Sequence, residues 1–194
     1  MNRLLVFAFF LHFCAVSHAF AAQYDIDPDH SEIGFAVKHM VITNVKGAFL
    51  DYSAGFQVGD NNKLVALQAD IAVKSIDTRI QKRDDHLRSG DFFEVSKYPE
   101  ITFATTSVVP GTGNSYRVKG RLKIKNVEKE IVLDGELTGP VKDPWGNQRM
   151  GIVLRGKIDR RDFGVTYNKV LETGGLLIDN EVKIHLEGEG ILKK

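Results

Sequence analysis

One run of the chain gathers residue types that proton transfer or metal binding would need: Arg83-Asp84-Asp85-His86. Carboxylates beside an imidazole can do acid–base work, and the same groups are metal ligands. On a helix, successive side chains point about 100° apart, so Asp84 and Asp85 face different ways. His86 has no second histidine at metal-ligand spacing. Beyond the leading segment the histidines are His30, His39, His86 and His185, each in a separate stretch. His30-Ser31 pairs a base with a hydroxyl, but neighbours on an extended chain project to opposite sides. No Gly-x-Ser-x-Gly elbow occurs. The 83–86 cluster therefore reads as a helix whose polar side chains tie it down and cap its ends. No catalytic or metal-binding set is assigned and no cofactor is expected.

The elements that would carry these residues are mostly strands. Ile33, Phe35, Val37 and His39 alternate with Glu32, Gly34, Ala36 and Lys38. The same period of two recurs at Leu67–Val73, Ile101–Phe103, Tyr116–Ile124, Ile131–Leu137, Ile152–Ile158 and Val182–Leu186. Such a pattern marks antiparallel strands with one buried face. Turn-like runs separate them, among them Gly59-Asp60-Asn61-Asn62, Pro110 to Asn114 and Asp143-Pro144-Trp145-Gly146-Asn147. The clearest helical stretch is Thr78–Ser89, with Asp77 or Thr78 as its cap, Gly90 as its end, and Ile80 and Leu87 on one face. A second short helix or ordered loop is expected between Asn168 and Gly174.

About eight antiparallel strands in one unit make a sandwich or a barrel. Glycines within the strand pattern (Gly34, Gly47, Gly120, Gly135, Gly156, Gly188) favour a barrel, where they would relieve the bending that closure imposes. An eight-stranded barrel is wide enough for one small ligand. The inward face is apolar over long stretches, so that ligand would be a lipid. Phe92-Phe93, after the helix, would be core or pocket wall. Trp145 would be either a lid over ligand or an aromatic packed beneath its turn.

Residues 1–21 read as a secretory signal: Met-Asn-Arg, an apolar run from Leu4 to Val16, and the cleavage pattern Ala19-Phe20-Ala21. The run is shorter than the roughly 20 residues of a membrane span, so no stable membrane insertion is expected. Residues 22–194 form one domain, and the chain is expected in the periplasm or secreted. Cys14, the only cysteine, lies inside the signal, leaving neither a disulfide framework nor a thiol nucleophile. The whole chain has 26 basic and 25 acidic residues, and removal of Arg3 makes them equal. No basic stripe of the kind duplex binding requires is visible along the sequence, which speaks against nucleic acid as a partner.

Several segments resemble the YceI-like, polyisoprenoid-binding proteins. They are Tyr24 through His39, Val45 through Phe49, Ser75 through Thr78, Arg83 through Phe93, Lys97 through Phe103, Gly120 through Ile124, Asp143 through Gly146, and Gly151 through Gly164. Asn126, Lys123 and Asn180-Glu181-Val182 depart from the family pattern at turns and outward positions. The resemblance implies a lipocalin-like antiparallel barrel that holds an isoprenoid or fatty-acid-like amphiphile, in an exported protein that is often a homodimer. It attaches no catalytic set. The expected lumen wall is Phe35, Val37, Phe49, Ile71, Phe92, Phe93, Phe103, Leu122, Ile124, Leu133, Trp145, Ile152, Leu154, Phe163 and Leu186. The competing readings are an enzyme, a hydrolase or isomerase acting on such an amphiphile, and a structural or stress protein without a ligand.

Overall fold

The structure, a computed structural model, describes residues 21–170 and 176–194. The expected signal, including Cys14, and most of the expected 168–174 helix or loop lie outside the described residues.

The alternating segments form strands. In chain order they are β1 (Ala22–Ile26), β2 (Glu32–His39), β3 (Thr43–Phe49), β4 (Tyr52–Val58), β5 (Leu64–Ala72), β6 (Ile76–Asp77), β7 (Glu100–Pro110), β8 (Ser115–Ile124), β9 (Val127–Lys142), β10 (Gln148–Asp159) and β11 (Ile178–Leu192), with helix α1 (Gln81–Arg88) between β6 and β7. The antiparallel ladder runs β1-β4-β5-β7-β8-β9-β10-β11 and closes by pairing β1 with β11. This is a closed eight-stranded barrel. Closure removes the exposed edges of an open sheet.

The long strand β11 has two successive partners on one side. Its far part pairs β1 at Tyr24↔Leu192, and its near part pairs β2 at Leu186↔Ile33. Between them the chain makes one turn of 3-10 helix at Pro28–His30, capped by Asp27, whose side chain accepts from Asp29 N. The β2–β3 hairpin thus extends one end of the barrel beyond the ring. The gap between β3 and the β5–β7 side is covered by α1 and the segment after it.

That helix is shorter than expected, and Ile80, not Asp77 or Thr78, is its N-cap residue. The reason is local. Asp77 turns its carboxylate to Arg79 N at 2.7 Å, and Thr78 is itself held by Asp84 from inside the helix at 2.9 Å through its N–H. Ile80 is half exposed and does not share a buried face with Leu87.

The two ends of the barrel are filled differently. At the end carrying the β4–β5, β7–β8 and β9–β10 turns, Tyr24, Phe56, Val118, Met150 and Ile152 are almost completely buried. Tyr24 and Phe56 stack with ring centroids 5.1 Å apart, and Gln148 donates to the Tyr24 hydroxyl at 2.6 Å. This end is a packed core. The other end is hollow.

Candidate functional site

The hollow half encloses a cavity of about 350 Å³, within the size range of small-molecule pockets. Its wall is the inward set of the strand alternation. Phe35 and Val37 come from β2, Phe49 from β3, Ile71 from β5, Phe103 from β7, Leu122 and Ile124 from β8, Leu133 from β9, Leu154 from β10 and Leu186 from β11. Phe92 and Phe93 enter from the segment after α1, and Phe163 from the short turn of helix that follows β10.

The space stays open because the large rings lie along the wall instead of across it. A Cβ on Gly120 would fall 2.2 Å from the Phe103 ring, and one on Gly47 would fall 2.5 Å from the Phe35 ring. Each ring occupies the place of the missing side chain on the neighbouring strand. These strand glycines serve close approach of a neighbour, a role different from the bending relief expected of them.

Two residues expected on the wall are elsewhere. Ile152 is fully buried, but it sits one inward step before Leu154 on β10, paired with Leu137 and Gly188 toward the packed end. Trp145 lies in the β9–β10 turn at that same end and is 80% exposed. Asp143 holds this turn by accepting from Trp145 N and Asn147 N at 3.0 and 2.8 Å. The indole is neither a lid nor packed beneath the turn, because the turn closes the barrel end opposite the cavity mouth.

Apart from His185, which faces outward from mid-strand and pairs with Glu32 at 2.8 Å, the polar groups of the cavity come from its mouth. Among the described residues every ionisable side chain on the wall is basic or phenolic: His39, Arg83, His86, Arg160, Tyr167 and His185. Most of their donors are already committed. Arg83 donates to the Thr78 hydroxyl and carbonyl, each at 2.8 Å. Arg160, only 5% exposed, donates to the carbonyls of Asp179, Val165 and Tyr167 at 2.8–2.9 Å. Burial pulls its pKa below the usual arginine value, with Asp159 and Asp179 opposing that shift through their charge. Arg160 thereby clamps the two ends of the β10–β11 connection above the cavity.

The Arg83-Asp84-Asp85-His86 run does not converge on a point. Asp84 is buried and accepts from Thr78. Asp85 accepts from Gln81 and Arg88 on the outer face. His86 pairs with Asp91 at 2.8 Å. The His86 ring also meets Phe92 and Tyr167 edge-on, with centroids 5.0 and 4.9 Å apart. These three rings join the α1 segment to the β10–β11 connection across the mouth. His30 and Ser31 likewise part: His30 pairs with Asp27 in solvent at 2.9 Å, while Ser31 Oγ accepts from Glu189 N at 3.1 Å. Among the described residues no group of three or more His, Cys, Asp or Glu could hold a metal, and no helix is long and apolar enough to cross a membrane.

Sequence reasoning left Arg160 and Tyr167 out of the site. Their signal was faint: Arg160 sits in Asp159-Arg160-Arg161-Asp162, which reads as a solvated charge run, and Tyr167 lies in a stretch without strand alternation.

Comparison with known proteins matches this architecture. A UPF0312 protein of Staphylococcus aureus (strain MSSA476) is 36% identical over 170 residues, 86% of this chain and 96% of its own. A Campylobacter jejuni YCEI protein, solved in crystals with large solvent channels, is 34% identical with a TM-score of 0.69, over 81% of this chain and 90% of that one. Two further structures are alike in fold alone. Burkholderia cenocepacia BcnA has a TM-score of 0.73 at 24% identity, covering 84% of this chain and 98% of that one. A polyisoprenoid binding domain from Saccharophagus degradans has a TM-score of 0.63 at 15% identity, covering 90% and 100%. Residues 24–190 match the model of the YceI-like domain, and the chain belongs to that family.

Proposed function

We propose that the protein is exported and binds one amphiphile, its isoprenoid or acyl tail in the barrel cavity and its head at the mouth, to sequester or carry it. The observation that carries this reading is the cavity itself: an open-mouthed space whose wall, among the described residues, is almost wholly hydrocarbon, with only a few basic and phenolic groups. Each buried CH₂ contributes about 0.8 kcal/mol, so a five-carbon isoprenoid unit contributes roughly 3–4 kcal/mol before the association cost of about 4–15 kcal/mol. A few units suffice for useful binding, and a tail longer than the cavity gains little more. Binding is favoured over catalysis because the Arg83 and Arg160 guanidiniums are engaged with Thr78 and with backbone carbonyls, and because among the described residues no carboxylate lines the wall as their partner.

Native mass spectrometry of protein purified from an exporting host tests both parts. The expected polypeptide mass begins at Ala22, with a lipid-sized adduct that leaves on organic extraction. A clean apo mass that also fails to take up an added prenyl or acyl compound overturns the binding reading. An intact chain beginning at Met1 overturns the export reading.

A further inference from the structure

The β2–β3 hairpin closes through Met40, Val41 and Ile42, which are 41%, 63% and 78% exposed. Met40 and Val41 have φ of 50° and 66°. Tight hairpin loops with left-handed residues select Asn, Asp or Gly, and a β-branched residue there is an outlier. This turn therefore breaks two rules together: its residues suit neither the backbone they adopt nor the water they face. Such conflicts concentrate at functional positions.

The tip stands on the rim of the cavity mouth. His39 and Val45, near its base, are on the cavity wall. Met40 N donates to the Leu177 carbonyl at 2.9 Å, and Leu177 N donates in turn to Lys169 O. Beside that ladder Val170 is 73% exposed. The exposed apolar rim is thus continuous with the apolar interior.

The outer face of the same wall carries a row of lysines. The strand registers Lys157↔Lys183, Lys183↔Ala36 and Ala36↔Lys46 place three lysines in one row across β10, β11, β2 and β3. Like charges directly opposite one another are unfavourable in a sheet. Lys157 is paired with Glu181, whereas among the described residues Lys46, Lys183 and the neighbouring Lys38 are in no ion pair. Sequence order hides this row, because its members come from three distant segments.

We propose that this rim docks the cavity mouth on an anionic lipid bilayer, with the Met40–Ile42 tip entering the interfacial region and the lysine row lying against the headgroups. Apolar side chains below a basic face are the anatomy of interfacial membrane binding, and each lysine near an anionic leaflet adds to the attraction. A second copy of the chain is a poorer occupant: a three-residue tip falls far short of the roughly 800 Å² per partner that a stable dimer buries. The inference rests on the reading that the cavity takes lipid, since docking would place its opening at the source of the ligand.

Vesicle flotation of the mature protein tests it. The vesicles are phosphatidylethanolamine with phosphatidylglycerol in equal parts, and phosphatidylcholine alone. Wild type is expected to float with the first and only weakly with the second, with binding that falls as salt rises. A Val41→Gly, Ile42→Ser variant relaxes the turn and so keeps the fold. It is expected to lose at least about tenfold in vesicle affinity while taking up a soluble short-chain prenyl alcohol as wild type does. Lys46→Glu with Lys183→Glu should abolish the preference for anionic vesicles. Equal flotation of wild type and the tip variant, or a tip variant altered only in oligomeric state, overturns the proposal. Loss of prenyl uptake in wild type itself, with flotation intact, would instead count against the cavity reading and leave docking standing.

Discussion

At the packed end of the barrel, Tyr24 and Phe56 stack side by side from the paired strands β1 and β4, and Met150, Ile152 and Val118 are buried with them. At the hollow end, Phe35 and Phe103 lie flat over Gly47 and Gly120 and leave about 350 Å³ open. The same strands run through both, with the same inward alternation and similar residue types. What differs is where the rings point. An aromatic that finds a glycine on the adjacent strand can lie over it along the wall, whereas one paired with a second ring stacks on that ring and the two fill the space together. Gly190 shows that a glycine alone is not enough: it lies beneath the Phe56 ring, but the directly paired neighbour of Phe56 is Tyr24, whose ring stacks on it. One end is packed to the density of a protein core, and the other gives up part of that packing for empty space.

The largest expected effect tests this division. Phe56→Ala removes one ring of the stack from the packed end and leaves a void there, which should cost about 3–5 kcal/mol. Leu133→Ala at the hollow end removes side-chain burial but enlarges a space that already exists. It should cost nearer 2 kcal/mol, about the transfer value of the lost carbons. Urea denaturation of the ligand-free protein measures both. Equal losses would mean that the two ends carry stability alike.

How much of this could be read from the chain follows from the same contrast. Alternation assigned the inward face on parts of β2, β5, β7, β8, β9, β10 and β11, because a period of two leaves little freedom once one face is buried, and it left β1, β3, β4 and β6 unread. It placed such wall residues as Phe35, Phe103, Leu122 and Leu186 for that reason. It could not tell the two ends apart, since Ile152 and Leu154 occupy equivalent places in the pattern and only the height along the barrel separates core from cavity. Trp145 failed for a related reason: which end a turn closes depends on the parity of the hairpins, not on the turn's composition. The mouth was least legible. Arg160 and Tyr167 act through backbone carbonyls and ring contacts from distant segments, and such contacts leave no periodic trace. The mismatch of Asp77 and Thr78 with the observed cap has the same origin, because Asp84 competes for Thr78 from within the helix.

A smaller effect sharpens the comparison on a single strand. Leu122 lines the cavity while Lys123 faces outward on β8. Leu122→Glu places a carboxyl among apolar groups without a partner, which costs about 1–3 kcal/mol and drives the group toward its protonated form. Bound lipid should be lost. Lys123→Glu sets a carboxylate opposite Glu128 in the β8–β9 register, a like-charge contact costing some tenths of a kcal/mol, and lipid should remain. Thermal midpoint and extracted lipid are compared for the two. Similar lipid loss in both would mean that the outward face also controls binding.

The smallest effect concerns how the packed end is fastened from outside. Arg149 donates to Asp27 at 2.7 Å, Asp143 at 2.9 Å and Glu189 at 3.0 Å, tying the β9–β10 turn and β11 to the corner after β1. The Arg149 hydrogen bond is the leading cause that lowers the pKa of Asp143 and of Asp27, with His30 adding to the latter; in the same pairing the arginine is held above its usual value. Folded-state carboxylates with depressed pKa values contribute stability in full above the unfolded carboxylate range, near about 4. The contribution is lost as pH falls through the depressed values. Arg149→Met removes the cation and leaves Asp27 and Asp143, both largely shielded, without it. At neutral pH the variant should melt a few degrees lower than wild type, and the gap should close as the solution is acidified below about pH 4. Lipid uptake at neutral pH should not change, because the staple lies at the end away from the cavity. Parallel melting profiles across the acid range would show that the staple adds no pH-linked stability. Impaired uptake in the variant would show that the two ends are coupled, so that loosening the packed end alters the hollow one.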